Sequence, residues 1–207
     1  MSLSAIEVNE LKKAPSVEGV LPAVLKRWSP RSFAQRDVSA ADLKTVFESA
    51  RWAASSYNEQ PWRFFVGVRG SSTYEKIFSA LIAINQSWAG SAPVLILGVA
   101  STKFSHSGSA NRVALYDLGA AASYLTLQAA ELGLATHQMA GFDAEAARKV
   151  FGVPEDYLVG AVIALGYQGE PSALGNEQLL DMETSPRTRK PLSEFVLSEW
   201  DTPADLG

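Results

Sequence analysis

The chain has 207 residues, 47% of them apolar and 19% charged, with a net charge of −4; that balance argues against an intrinsically disordered chain, a membrane-embedded one and a basic nucleic-acid binder. It contains no cysteine, which excludes disulfides, thiolate catalysis and cysteine metal sites. A chain of this length hides roughly 70% of its unfolded surface on folding and fits a single domain.

In chain order, the first 19 residues are polar and interrupted by Pro15, and read as a loose arm; residues 20–207 read as one domain. The start lacks the apolar core of a signal peptide, and no apolar run approaches the ~20 residues of a membrane span, so a cytoplasmic location is expected. A short helix is predicted over 20–28, ended by Pro30, which biases Ser29 away from helix. Ser39 opens an amphipathic helix with Leu43, Val46, Phe47 and Ala50 on its apolar stripe. A strand over 64–68 follows the turn signal at 58–61, then one helix over 72–88. Residues 94–99 form a β-branched run expected to be a buried strand. Residues 101–109 are polar and read as a mobile loop. A long, nearly all-apolar helix rich in Gly and Ala is predicted over 110–132, buried on most sides and stopped by Gly133. A strand over 134–139, a helix capped by Asp143 and stopped by Gly152, and a strand over 159–165 complete the pattern. From Gly169 the tail reads as irregular, with a short element near 192–197. Helices and strands mix without strict βαβ alternation, so the fold class is α+β.

Five runs could carry chemistry. Arg27, Ser29 and Arg31 lie on a kinked segment, where guanidinium groups suit bidentate phosphate contact. Ser55, Ser56, Asn58, Gln60 and Trp62 crowd a helix-to-strand junction, with amides able to meet the mixed edges of a heterocycle. Asn85 and Trp88 close a helix. Met139, Ala140 and Gly141 lie at a strand end, where a glycine lets backbone N–H groups approach a ligand. Arg187 and Arg189 lie in the tail. Each run alone is equally compatible with a polar surface or a packed core. The two histidines, His106 and His137, show no metal-ligand spacing, and there is no Gly-x-Gly-x-x-Gly, P-loop or Gly-x-Ser-x-Gly. A serine paired with His137 as a hydrolase has nothing to orient it.

The order of these runs resembles the nitroreductase family of FMN-dependent oxidoreductases. The matching pieces are Arg-x-Ser-x-Arg-x-Phe at 27–33, Ser-Ser-x-Asn-x-Gln-Pro-Trp at 55–62, Asn85 with Trp88, Tyr-Asp-Leu-Gly-Ala-Ala at 116–121, Gly141-Phe-Asp143, Leu165-Gly-Tyr167 and Arg187-x-Arg-x-Pro-Leu192. The resemblance spans about residues 20–196. It implies a central, mainly antiparallel sheet surrounded by helices. It also implies an intertwined homodimer with FMN at the subunit interface and a C-terminal extension reaching the partner.

Position by position, the resemblance matches Arg27, Ser29 and Arg31 to the first FMN motif, with Arg27, Arg187 and Arg189 at the FMN phosphate and Arg31 near N1 and O2 of the ring. Ser55, Ser56 and Asn58 would approach the flavin from the other subunit, with Gln60 and Trp62 supporting that loop. Asn85 would meet the pyrimidine edge, and Met139, Ala140 and Gly141 would face N5. The implied activity is transfer of hydride from NAD(P)H through flavin N5 to a nitroaromatic, a quinone or a similar electron-poor acceptor. No side chain acts as nucleophile, no metal is needed, and neither nucleic acid nor membrane is a partner. Reductive dehalogenation, flavin-consuming chemistry and flavin storage are the rival readings. The chain departs from the family pattern at Trp28, often basic, at Trp88, sometimes lysine, and at Ala140, sometimes glutamate. These exchanges bear on substrate preference and flavin potential.

Overall fold

The computed structural model describes residues 3–206. Its centre is a sheet of four antiparallel strands, β1 (Trp62–Val68), β2 (Val94–Ser101), β3 (Ala135–Met139) and β4 (Tyr157–Gly166), in the order β1-β2-β4-β3. Side chains alternate across a strand, and β2 uses both faces. Leu95, Leu97 and Val99 enter one core, while Val94, Ile96 and Ala100 enter the other. The first core is covered by α4 (Ser72–Ala80), α5 (Ala83–Ala89) and α7 (Ala144–Phe151); the second lies under α3 (Ala40–Arg51) and α6 (Ala114–Glu131). The result is three layers, helices on both sides of an antiparallel sheet, and the α+β expectation holds.

Helix α6 presses Ala114, Leu118, Ala121, Leu125 and Ala129 onto the sheet. The approach is close because β2 and β4 carry glycines beneath it. A Cβ at Gly160 would lie 2.5 Å from Leu118 Cδ2, and one at Gly98 3.2 Å from Leu118 Cδ1. The ladder is shifted at this point, between Leu97 and Val99. The opposite face of α6 is not covered by this chain: Leu115, Tyr116 and Tyr124 are exposed, so it is less enclosed than its composition suggests. The stops at Gly133 and Gly152 are as expected, with φ of +74° and +63°.

Five expectations need correction. The N-terminal stretch is not a loose arm: α1 (Ala5–Lys12) is closed by a reciprocal capping box between Ser4 and Glu7. It docks on α8 (Glu177–Thr184), with Val8 fully buried and Lys12 Nζ donating to the Met182 carbonyl at 3.1 Å. The helix predicted over 72–88 is two, because the chain turns extended at Leu81 and Ile82 to pair with the segment after β3. The Ile82 N–H donates to Gly141 O, and Asp143 N–H to Ala80 O. The 101–109 loop, expected to be mobile, is tied down, with the Ser105 N–H and hydroxyl both donating to Glu59. The tail contains α8, and then a small hairpin of β5 (Leu197–Glu199) and β6 (Thr202–Pro203). The helix predicted over 20–28 is shorter, α2 (Pro22–Lys26). Among the described residues no helix is long and apolar enough to cross a membrane.

Candidate functional site

The chain leaves α2 at Arg27 in an extended conformation and bends at Arg31 before Phe33, which bridges to Gln168. With no helix or strand to hold it, this segment is fixed by three side chains from distant parts of the chain. The Glu183 carboxylate accepts the Arg31 N–H at 2.9 Å and the Ser32 N–H at 3.2 Å. His137 Nδ1 contacts the Pro30 carbonyl at 3.0 Å, as a donor in the tautomer that satisfies it. Arg187 donates from its two terminal nitrogens to the carbonyls of Arg27 and Leu25, both at 2.6 Å. Arg187 thus also caps the last turn of α2, where carbonyls lack helical partners.

The cluster is strongly cationic. Arg27 Nη1 lies 3.2 Å from Ser29 Oγ. Burial pulls the Arg27 guanidinium below its ordinary value, and the nearby Arg189 adds to this. Arg187 is lowered by burial, by Arg189 and by Arg27. Arg31 is lowered by burial, with Glu183 opposing. Lys12 is lowered by burial too, again with Glu183 opposing. One buried carboxylate therefore faces several cations that repel one another, and an anion placed among them would relieve that repulsion. A cleft of about 270 Å³ opens beside Arg27, lined in part by Lys26, Thr126, Thr136 and Gln168. The Thr136 hydroxyl in its wall is buried and has no hydrogen-bond partner among the described residues.

A second group sits where β3 ends. Asn85 Nδ2 donates to the Gly141 carbonyl at 2.8 Å. A Cβ at Gly141 would fall 2.6 Å from Asn85 Nδ2 and 2.8 Å from Ile82 Cδ1, so a larger residue there would displace the Asn85 and Ile82 side chains. Met139 is buried and Ala140 exposed. This group meets the arginine cluster through His137, whose ring packs on Trp88 at 4.6 Å between centroids, one helical turn beyond Asn85. Burial, and then Arg31, drive the His137 imidazole down to about 4. A neutral ring wedged between an indole and a carbonyl is a structural support; it is not a hydrolase base.

The third group is the 55–60 loop. Ser55 Oγ accepts the Gln60 N–H at 2.9 Å, and Gln60 Nε2 donates to Asn58 O and Oδ1. The buried Asp117 of α6 accepts the Ser56 N–H at 3.1 Å. Tyr57, Asn58 and Gln60 all adopt left-handed backbone, with φ of +53°, +54° and +50°. Such conformations are costly for non-glycine residues and persist where surrounding contacts impose them. No hydrogen bond among the described residues joins this loop to the other two groups. Within one chain, then, Arg27, Ser29, Arg31, Arg187 and Arg189 come together, with Asn85, Met139, Ala140 and Gly141 adjoining them. Ser55, Ser56, Asn58 and Gln60 form a separate unit. No cluster of three potential metal ligands occurs among the described residues.

Glu183 and the bracing role of Arg187 are not visible in the motifs. The signal for α8 was Asn176, whose side chain caps the helix, followed by Leu179 and Glu183 one turn apart on a buried face.

This three-layer architecture, with a cluster of arginines beside an antiparallel sheet, defines an α+β protein with a strongly cationic cleft. A family model, the nitroreductase family, matches residues 24–83 and 70–167, and the chain belongs to that family. Among relatives, an uncharacterized 15.4 kDa protein of Mycolicibacterium smegmatis is 36% identical over 152 residues, covering 68% of this chain and 99% of the relative. A Thermus thermophilus protein named NADH dehydrogenase is 29% identical over 206 residues, covering 84% of this chain and 93% of its own length. A solved structure of an oxidoreductase containing FMN superposes with a TM-score of 0.83 at 31% identity, covering 89% of this chain and 94% of that one.

Proposed function

We propose that this chain is an FMN-dependent oxidoreductase, working as a homodimer, that uses NAD(P)H to reduce nitroaromatics, quinones or similarly electron-poor acceptors. The observation that carries the reading is the cationic cluster of Arg27, Arg31, Arg187 and Arg189, which has one buried carboxylate among it and adjoins the strand end at Gly141. The FMN-containing structure at 31% identity supports it, as does the relative named NADH dehydrogenase.

The residues fit the cofactor's chemistry part by part. Arg27, Ser29 and Arg189 would hold the phosphate, as guanidinium and hydroxyl donors suit its oxygens. Arg187 would act mainly as a brace, since its terminal nitrogens already serve the carbonyls of Arg27 and Leu25. The unpartnered Thr136 hydroxyl would meet a polyol chain. Arg31 would lie toward the ring, its positive charge favouring the reduced state. Asn85 and the backbone at Met139, Ala140 and Gly141 would border the ring's polar edges.

The 55–60 loop forms a unit apart from the arginines. A second subunit explains why: Ser55, Ser56, Asn58 and Gln60 would complete the neighbour's site. FMN held by these residues would supply two-electron redox chemistry between the nicotinamide and the acceptor. The protein's part is to bind, orient and bias charge, and no side chain need form a covalent bond.

The test is the absorption spectrum of purified protein followed by anaerobic titration with NADH and with NADPH. Bound flavin that bleaches with either nicotinamide is expected. The double variant Arg27→Glu with Arg189→Glu should weaken FMN binding by at least about 100-fold, since charged hydrogen bonds contribute about 1.5–3 kcal/mol each. Stoichiometric yellow flavin in that variant would overturn the phosphate assignment.

A further inference from the structure

Glu183 stands out as a fully buried carboxylate in a basic cluster. It has no solvent exposure, and it is held from two directions. Its oxygens accept the N–H groups of Arg31 and Ser32, and Oε2 lies 4.0 Å from Arg31 Nη1. A buried carboxylate is costly unless paired and hydrogen-bonded. Here burial does push its carboxyl upward, against the pull of the Arg31 and Ser32 N–H donors and of the positive charges of Arg31 and Lys12. The surrounding packing places it there: Leu179 buries the same face of α8, and α1 covers the helix through Lys12 on Met182.

A negative charge beside the guanidinium assigned to the flavin ring works against that guanidinium. We propose that Glu183 is a positioning residue of the flavin site, which fixes the backbone at Arg31 and Ser32 and sets, by partial neutralisation, how much positive charge Arg31 presents to the FMN ring. This inference rests on the FMN reading above. It gives the carboxylate two separable roles. The geometric role needs an acceptor at this point, and the electrostatic role needs the charge.

The substitution Glu183→Gln separates them. One amide oxygen in the place of Oε1 still accepts both N–H groups, at 3.1 and 3.2 Å in the present geometry, while the charge is gone and the amide nitrogen in the place of Oε2 gives up the 2.9 Å bond from the Arg31 N–H. Full-length protein is stripped of flavin and titrated with FMN by fluorescence quenching, and the midpoint potential of the bound flavin is measured by equilibration with redox dyes. Glu183→Gln should shift the potential to more positive values, equivalent to reduced FMN gaining on the order of tenfold in affinity over oxidised FMN, the size expected for removing one charge several ångströms away in a partly buried site. In an Arg31→Gln background the same exchange should leave the potential where it was.

Glu183→Asp keeps the charge but draws it back by one methylene. It should weaken FMN binding at least about threefold, which keeps the geometric role testable if the Gln variant does not fold. An unchanged potential in Glu183→Gln, or wild-type affinity in Glu183→Asp, overturns the proposal while leaving the flavin reading intact. Wild-type protein that takes up no FMN overturns both.

Discussion

His137 is held against Trp88 and the Pro30 carbonyl, and its imidazole titrates near about 4 in the folded chain, against 6.5 when exposed. The unfolded chain therefore binds this proton first as pH falls. The contribution of the neutral ring is complete above about pH 7 and is lost progressively between 6.5 and 4, by up to about 3 kcal/mol. Urea titrations across that range should show His137→Phe losing less stability than wild type by about this amount. At this scale the sequence was readable where chemistry is local. Arg27, Ser29 and Arg31 announced themselves by type and spacing, and Asn85 with Gly141 do meet. It was unreadable where a role depends on a partner more than 150 positions away, as with Glu183 on Arg31 or Arg187 on Arg27.

The elements tell a similar story. Strands β1, β2 and β4 and helices α3 and α7 could be anticipated because their apolar periodicity and caps are strong. Helices α1 and α8 were missed because neither is stable alone. Each has eight residues, too few to be stable in water without packing, and each finds its packing in the other. Ser4 with Glu7 was an overlooked start signal. Deleting residues 1–13 removes Val8 and the Lys12 contact to Met182, uncovering the helix that carries Glu183. The expected result is a fall in Tm of about 5–10 °C in a calorimetric scan, with weaker FMN retention, because α8 braces the phosphate segment.

As a whole, the chain leaves much apolar surface uncovered. Tyr116 of α6 is 80% exposed, and in the tail Phe195 is 60% and Trp200 88% exposed. Patches of this kind mark contact surfaces, and the proposed dimer would cover them. Removing residues 191–207 spares Arg187 and Arg189 yet takes away Phe195 and Trp200. Light scattering should then show half the wild-type mass, and FMN should dissociate more readily. Under α6, Leu118 is seated in a notch formed by Gly98 and Gly160. Side chains larger than hydrogen at those two glycines would lift the helix away from the sheet. With the notch intact, the helix cannot slide along its axis without unseating Leu118. The proposed interface therefore rides on a rigid rail, and amide hydrogens along α6 and β2 should exchange among the slowest in the molecule, through global unfolding rather than local breathing.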